Sequence, residues 1–213
     1  MKIATITDIH ARSVYPISVL GQLRQTDLLL IAGDITNFGD KDEANYIIQE
    51  LAALNIKMFA VPGNCDRPAV SSALDSCDIN LHATTKIVGN VMLFGIGGCN
   101  KTPFHTPLEY SEKEIADILN RIARIPSVKH YVLVSHAPPY KTKLDKVLFG
   151  LHVGSKAIRN FVDEFQPDIV VCGHIHEARG VDYVGNTLII NPGPFPKHYA
   201  TVELNTQIKF NLY

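Results

Sequence analysis

The sequence predicts an α/β protein of two facing sheets with helices outside, and three features carry that prediction. Five apolar runs with little polar alternation, Lys2–Thr7, Asp27–Ala32, Lys57–Val61, Val128–Ser135 and Asp168–Cys172, describe strands buried on both faces. Segments with helical spacing lie between them, which makes βαβ crossovers and parallel pairing for the first three. From Ala178 onward the pattern becomes one of short strands joined by turns, an antiparallel half set against the parallel one.

The elements follow in order. Val14–Gln25 can return the chain from the first strand to the second as a helix. Asp40 precedes Lys41-Asp42-Glu43, an N-cap with acid in the first turn, and Ala44–Leu54 then repeats apolar residues at helical spacing. After Lys57–Val61 comes a short helix from Pro68 to about Ser76. Thr85–Val88, Gly89-Asn90 and Val91–Ile96 form a hairpin with a two-residue turn. Its outlet, Gly97–Pro107, is a long loop marked by glycine and proline, of a length that is often functional. Ser111 with Glu114 is a capping box opening a helix to about Ile125. Tyr140–Gly150 is a second long loop, and Gly154–Phe165 is helical. The antiparallel part comprises Val181–Val184, a Gly185-Asn186 turn, Thr187–Ile190, Tyr199–Leu204 and Ile208–Leu212.

A chain of 213 residues that is 46% hydrophobic can bury a full core, and with no linker in the pattern a single domain, 1–213, is expected. Its net charge of −1 gives no general attraction to nucleic acid, so a small substrate is the better expectation. Cys65, Cys77, Cys99 and Cys172 show no metal or disulfide spacing and are expected to be free thiols in a reducing compartment. The N-terminus has no signal-peptide form, and no apolar run reaches the roughly 20 residues of a membrane helix, so a cytoplasmic protein with no membrane partner is expected. A homo-oligomer is compatible with the sequence.

The strand ends carry the chemistry. The first run ends in Asp8 and His10, the second in Gly33-Asp34, the third in Gly63-Asn64, the fourth in His136 and the fifth in His174 and His176. Open α/β folds place ligands at the carboxyl edge of their strands. Residues i and i+2 of an extended segment share a side, so Asp8-x-His10 and His174-x-His176 can each converge on one cluster. Glycine precedes Asp34, Asn64 and His174, where a tight turn or close backbone approach needs no Cβ. A lone D-x-H or H-x-H is usually a solvated strand end. Five strand ends bearing metal-type ligands together point to a two-metal site with Asp34 shared between the ions.

In these motifs, Asp8-Ile9-His10, Gly33-Asp34, Gly63-Asn64-Cys65-Asp66, Ser135-His136 and Gly173-His174-Ile175-His176, the chain closely resembles the calcineurin-like metallophosphoesterases. The resemblance runs to residue 176, and Asn191-Pro192-Gly193 extends it. It implies a four-layer αββα sandwich of two mixed sheets flanked by helices. It also implies that Asp8, His10, Asp34 and His176 hold one ion and Asp34, Asn64, His136 and His174 the other. Oxygen and nitrogen ligands suit manganese, with iron or zinc as alternatives. A water shared between two such ions becomes acidic enough to attack phosphorus in line as hydroxide, while Asn64 helps to neutralise the phosphoryl oxygens.

The sequence departs from the family pattern at Cys65, where most members carry a histidine thought to protonate the leaving group. A thiol donates a proton less flexibly than an imidazole, so good leaving groups are favoured. Cysteine here also resembles a minor branch whose members often cleave phosphodiesters. Cys65 can equally be a small residue filling space, and Asp66, which would orient the missing histidine, has an open role. Asn100 and His105 lie on a loop that could reach the substrate, although exposure without function is the commoner fate of a loop histidine. His82, His130, His152 and His198 have no supporting pattern, and Lys141, Lys143 and Lys146 read as a solvated face. The function expected is a metal-dependent phosphoric ester hydrolase acting on a small phosphoester, diesters ahead of monoesters. Its rivals are a metal-binding protein-interaction scaffold and, against the charge, a nuclease.

Overall fold

The computed structural model describes residues 1–213. One sheet contains β1 (Lys2–Ile6), β2 (Leu28–Ala32), β3 (Lys57–Val61), β12 (Ala200–Leu204) and β13 (Ile208–Leu212), in the order β13-β12-β1-β2-β3. The other contains β4 (Thr85–Val88), β5 (Val91–Ile96), β8 (His130–Ser135), β9 (Ile169–Val171), β10 (Gly180–Val184) and β11 (Thr187–Asn191), in the order β10-β11-β9-β8-β5-β4. Two short strands, β6 (Cys99–Asn100) and β7 (Glu109–Tyr110), pair with each other and close the loop between them.

Side-chain alternation sorts the layers. In the second sheet Val132, Val134, Ile169, Val171, Leu188 and Ile190 face the first sheet and share its core. The intervening Leu133, Val170 and Ile189 face the other way. That outer face is covered by α4 (Glu112–Leu119) and α5 (Lys156–Phe165), through Ile115, Leu119, Ile158 and Val162. The first sheet is buried on both sides: every residue of β2 is inaccessible. Its outer cover is α1 (Ile17–Leu23), α2 (Lys41–Ala52) and α3 (Pro68–Ser76), through Leu23, Ile47, Leu51, Val70 and Leu74. The result is the four-layer sandwich, with a period of two deciding which layer each strand residue serves.

Several sequence expectations hold closely. The third strand, the short helix after it and the hairpin have the predicted limits. Asp40 caps α2 by accepting from the backbone of Asp42 and Glu43, and Ser111 and Glu114 form the capping box of α4. Two helices are shorter than predicted. The first begins after Pro16, leaving Val14 85% exposed. The fourth stops at Leu119 rather than Ile125, with Asn120 as its C-cap.

The division into a parallel and an antiparallel half is corrected: both sheets are mixed. β12 joins β1 antiparallel and β13 joins β12 antiparallel, whereas β5 and β11 extend the parallel core of the other sheet beside β8 and β9. Burial supplies the reason. β5 and β11 are inaccessible along their whole length and take interior places, while the half-exposed β4 and β10 sit at the edges. The five strands with polar ends therefore divide three and two between facing sheets.

Candidate metal centre

β1, β2 and β3 run parallel and in register, with Ile6 beside Ile31 and Ile31 beside Ala60, so the residues just beyond each strand emerge together. β8 and β9 do the same in the facing sheet, Val134 beside Val171. The outgoing loops are then tied to one another. The Asp8 N–H donates to Gly33 O at 3.0 Å and the His10 N–H to Asp34 O at 2.9 Å. The His174 N–H, from the other sheet, donates to the Asp8 carboxylate at 3.2 Å.

The backbone is strained where the ligand candidates sit. Asp8, His10, Asp34 and His174 have φ of 54°, 48°, 49° and 68°, in the left-handed region that costs a side-chain-bearing residue roughly 1 kcal/mol or more. Gly33, at φ 94°, turns the chain so that Asp34 faces inward. Gly63 lets the third loop lie against the Asp34 carboxylate and backbone.

The side chains past these strand ends lie close together. His176 Nε2 is 3.2 Å from Asp8 Oδ1 and 3.4 Å from His10 Nε2. The two oxygens of Asp34 face different histidines, Oδ2 towards His10 Nε2 at 3.7 Å and Oδ1 towards His136 Nε2 at 3.4 Å. His136 Nε2 also lies 2.8 Å from Asn64 Oδ1, and its ring is 5.2 Å from that of His174. Potential ligand atoms of Asp8, His10 and His176, and separately of Asp8, Asp34 and His136, lie within 4.8 Å of one another.

This donor set fits divalent cations. Nδ1 of His136 donates to Ala32 O at 2.7 Å, which fixes the tautomer and turns the lone pair of Nε2 towards the oxygens of Asp34 and Asn64. Imidazole nitrogen, carboxylate and amide oxygen thus face each other as acceptors, an arrangement a cation satisfies. Burial lowers the pKa of His10, and burial with help from His136 takes His174 down to about 4, so both rings offer lone pairs at neutral pH. Burial also opposes charge on His136, but the Asp34 carboxylate outweighs it and raises that ring to about 9, so without a cation Nε2 keeps a proton between Asp34 and Asn64, and the lone pair there becomes available to a cation that displaces it. Asp34 is buried as well, yet His136 holds its carboxyl well below the usual range.

The calcineurin-like phosphoesterase profile matches residues 1–178, which span every one of these positions. The chain belongs to that family. Among its relatives is the protein MJ1162 of Methanocaldococcus jannaschii, 43% identical over 91% of this chain and 88% of that protein. A probable glycerophosphodiester phosphodiesterase of Arcobacter nitrofigilis is 22% identical over 95% of this chain and 75% of its own length. TT1561 of Thermus thermophilus shares the fold, with a TM-score of 0.74 at 15% identity over 99% of this chain and 97% of that one.

Around this phosphoesterase-family site the remaining predicted residues take different places. Cys65 is half-buried, with Sγ within 4.8 Å of ligand atoms of His10 and Asp34, and its N–H donates to Asp34 Oδ1 at 2.8 Å. Burial and then the Asp34 charge push its thiol well above the ordinary range. Asp66 is inaccessible, and its carboxylate accepts from Gly63 N at 2.7 Å, Ile35 N at 3.1 Å, and Thr36 N and Oγ1 at 2.8 Å each. It sews the loop after β2 to the loop after β3. Asn100 donates from Nδ2 to Val153 O at 3.1 Å, joining the loop after β5 to the loop segment between β8 and α5. His105 is exposed and lines no part of the cavity those loops enclose.

Sequence spacing missed one connection. Asn64 Nδ2 donates to Thr106 Oγ1 at 3.1 Å, and Thr106 Oγ1 donates to Glu109 Oε1 at 2.8 Å. The relay holds the Asn64 amide with its oxygen towards His136. Glu109 also accepts from Thr102 N and Oγ1 and from Thr106 N, so one carboxylate organises the loop. No motif contains these residues; only the β6–β7 pairing, which folds the loop back on itself, brings Glu109 to the threonines.

Proposed function

We propose that this chain is a two-metal phosphoesterase that hydrolyses small phosphodiesters ahead of monoesters. The observation that carries the proposal is the placement of Asp34, whose two carboxylate oxygens face His10 on one side and His136 on the other. One ion would be held by Asp8, His10, Asp34 and His176, and the other by Asp34, Asn64, His136 and His174. Carboxylate and amide oxygens suit manganese, which we name first, and the imidazoles suit iron or zinc as well. Such ions supply positive charge for the phosphoryl oxygens and acidify water near neutral pH.

The chain's own residues do the rest. Asp66 and Gly63 hold the loops that present Asp34 and Asn64, and the relay from Glu109 through Thr106 orients the Asn64 amide. The thiol of Cys65, kept protonated by burial and by Asp34, can release its proton to the departing alkoxide oxygen. A thiol is a weaker acid for this purpose than an imidazolium, so leaving groups that need little protonation are favoured. A diester also carries a second ester group, and the cavity bordered by Asn64 and His174 has room for it. The name of the Arcobacter relative agrees with a diester preference. The free thiols Cys65, Cys77, Cys99 and Cys172 support a reducing, cytoplasmic setting. No helix is long and apolar enough to cross a membrane. We read residues 1–213 as a single domain, because the first sheet joins β1, β2 and β3 to β12 and β13 from the other end of the chain and shares one core with the second sheet.

The test is hydrolysis of bis-p-nitrophenyl phosphate and p-nitrophenyl phosphate by metal-stripped protein, with manganese, zinc, iron(II) or magnesium added back singly. Metal-restored cleavage, faster on the diester, is expected. No turnover with any metal, despite metal binding, overturns the proposal in favour of a protein-interaction scaffold.

A further inference from the structure

A cavity of about 660 Å³ lies beside the ligand cluster, within the size range of sites that hold small organic molecules. Its walls are the loop after β5, which contributes Phe104, and the segment between β8 and α5, which contributes Leu148, Leu151 and Val153. Phe104, Leu148 and Leu151 are 81%, 77% and 64% exposed, so the mouth is apolar as well. Asn64 and His174 belong both to this cavity and to the ligand cluster. The cavity therefore opens onto the cluster at these two residues.

The amide and hydroxyl donors around the cavity are already engaged, and Asn100 Oδ1 is the one buried side-chain oxygen of the lining without a partner. Asn64 donates to Thr106, Asn100 to Val153 O, and Thr102 to Glu109. Lys101 and Glu177, of opposite sign, are the only acidic or lysine side chains in the lining. A sugar or glycerol moiety entering here would lose water and find few free partners, whereas an apolar one would lose nothing. Burial of exposed leucine and phenylalanine surface would add to its affinity.

We propose that this cavity binds an apolar ester group of the substrate, an alkyl chain or aromatic ring joined through oxygen to the phosphorus held at the ligand cluster. The proposal rests on the phosphoesterase reading and names the substrate class of that site. The Asn100–Val153 bond ties the two loops together, so the cavity is formed before the ligand arrives.

The test is calorimetric binding of methyl-, butyl- and hexylphosphonate to the manganese-supplied protein. Affinity is expected to rise about three- to fourfold per added methylene, as burial of a CH₂ group predicts. Leu148→Ser and Leu151→Ser should each flatten that dependence. Equal affinity for the three phosphonates, or an unchanged dependence in both variants, overturns the proposal. A flat series from a protein that is dimeric by light scattering also overturns it and assigns the apolar mouth to a second copy of the chain. Hydrolysis of bis-p-nitrophenyl phosphate by the same preparation separates the two readings. Turnover with a flat series removes the apolar site and keeps the enzyme; a steep series without turnover keeps the site and removes catalysis.

Discussion

Gly63 lies so close to Asp34 that a Cβ at position 63 would overlap both the carboxylate and the backbone nitrogen of Asp34. The loop after β3 can therefore reach its position only without a side chain there. Gly63→Ala should push Asp34 out of line while leaving the sheets intact. Manganese affinity, measured by calorimetry, is expected to fall roughly 10- to 100-fold, the scale seen when a ligand's support is disturbed. Wild-type affinity in this variant would show that the close approach does not matter.

Asp34→Asn changes one oxygen of the carboxylate that faces His10 and His136. Because a single residue is proposed to serve both ions, metal stoichiometry and turnover should fall together. Elemental analysis of the purified variant, paired with its diesterase rate, checks this. Full activity at full metal content would remove the shared assignment.

Cys65 stands where a proton donor is proposed, with its thiol held protonated. Cys65→His should accelerate hydrolysis of a phenyl phosphodiester by about tenfold, less than the roughly 10²- to 10⁴-fold of a general acid gained outright because a thiol already stands there, and of bis-p-nitrophenyl phosphate by less. Comparing kcat for the two leaving groups decides the matter. An equal effect on both means the position does not act as an acid.

Glu109 is partly buried, which alone would raise its pKa, but hydrogen bonds from Thr102 and Thr106 outweigh burial and hold it at about 2. A carboxyl depressed on folding stabilises the fold above its unfolded pKa of about 4.3, and that contribution is lost as pH falls towards the folded value. Glu109→Gln should therefore lower Tm at neutral pH, with a deficit that shrinks as pH falls from about 4 towards 2. It should also weaken diesterase activity at neutral pH by loosening the Asn64 amide. A Tm deficit that stays constant down to acid pH would contradict the role of its charge.

Leu30, in the middle of β2, is inaccessible and belongs to the core shared by both sheets. Leu30→Ala should destabilise the protein by about 2–5 kcal/mol, the cost of removing a buried leucine and leaving a cavity. Urea denaturation measures it directly. A loss below ~1 kcal/mol would mean that the layers collapse around the missing side chain.

Short-range features were legible in the sequence because they depend on near neighbours. Apolar runs marked the strands, Asp40 and Ser111 with Glu114 marked helix starts, and Gly33 and Gly63 marked backbone that cannot carry a side chain. Strand polarity alone placed Asp8, Asp34, Asn64, His136 and His174 just past strand ends. Strand partnership was not legible, because a strand's own residues do not name its neighbour: β12 pairs with β1 from the far end of the chain, and β9 lies between β11 and β8.

The sequence by itself determined the α/β class, the five strands with polar ends and the residue types of the candidate site. Tertiary structure alone decided that facing sheets share the site, that Asp34 faces both histidine groups and that Asp66 is a tie between loops. It alone built the relay from Glu109 to Asn64 and the apolar cavity. Spacing along a strand fixes which way a side chain points, whereas these relationships join residues as far apart as Asp8 and His174, which only the packed sheets bring together.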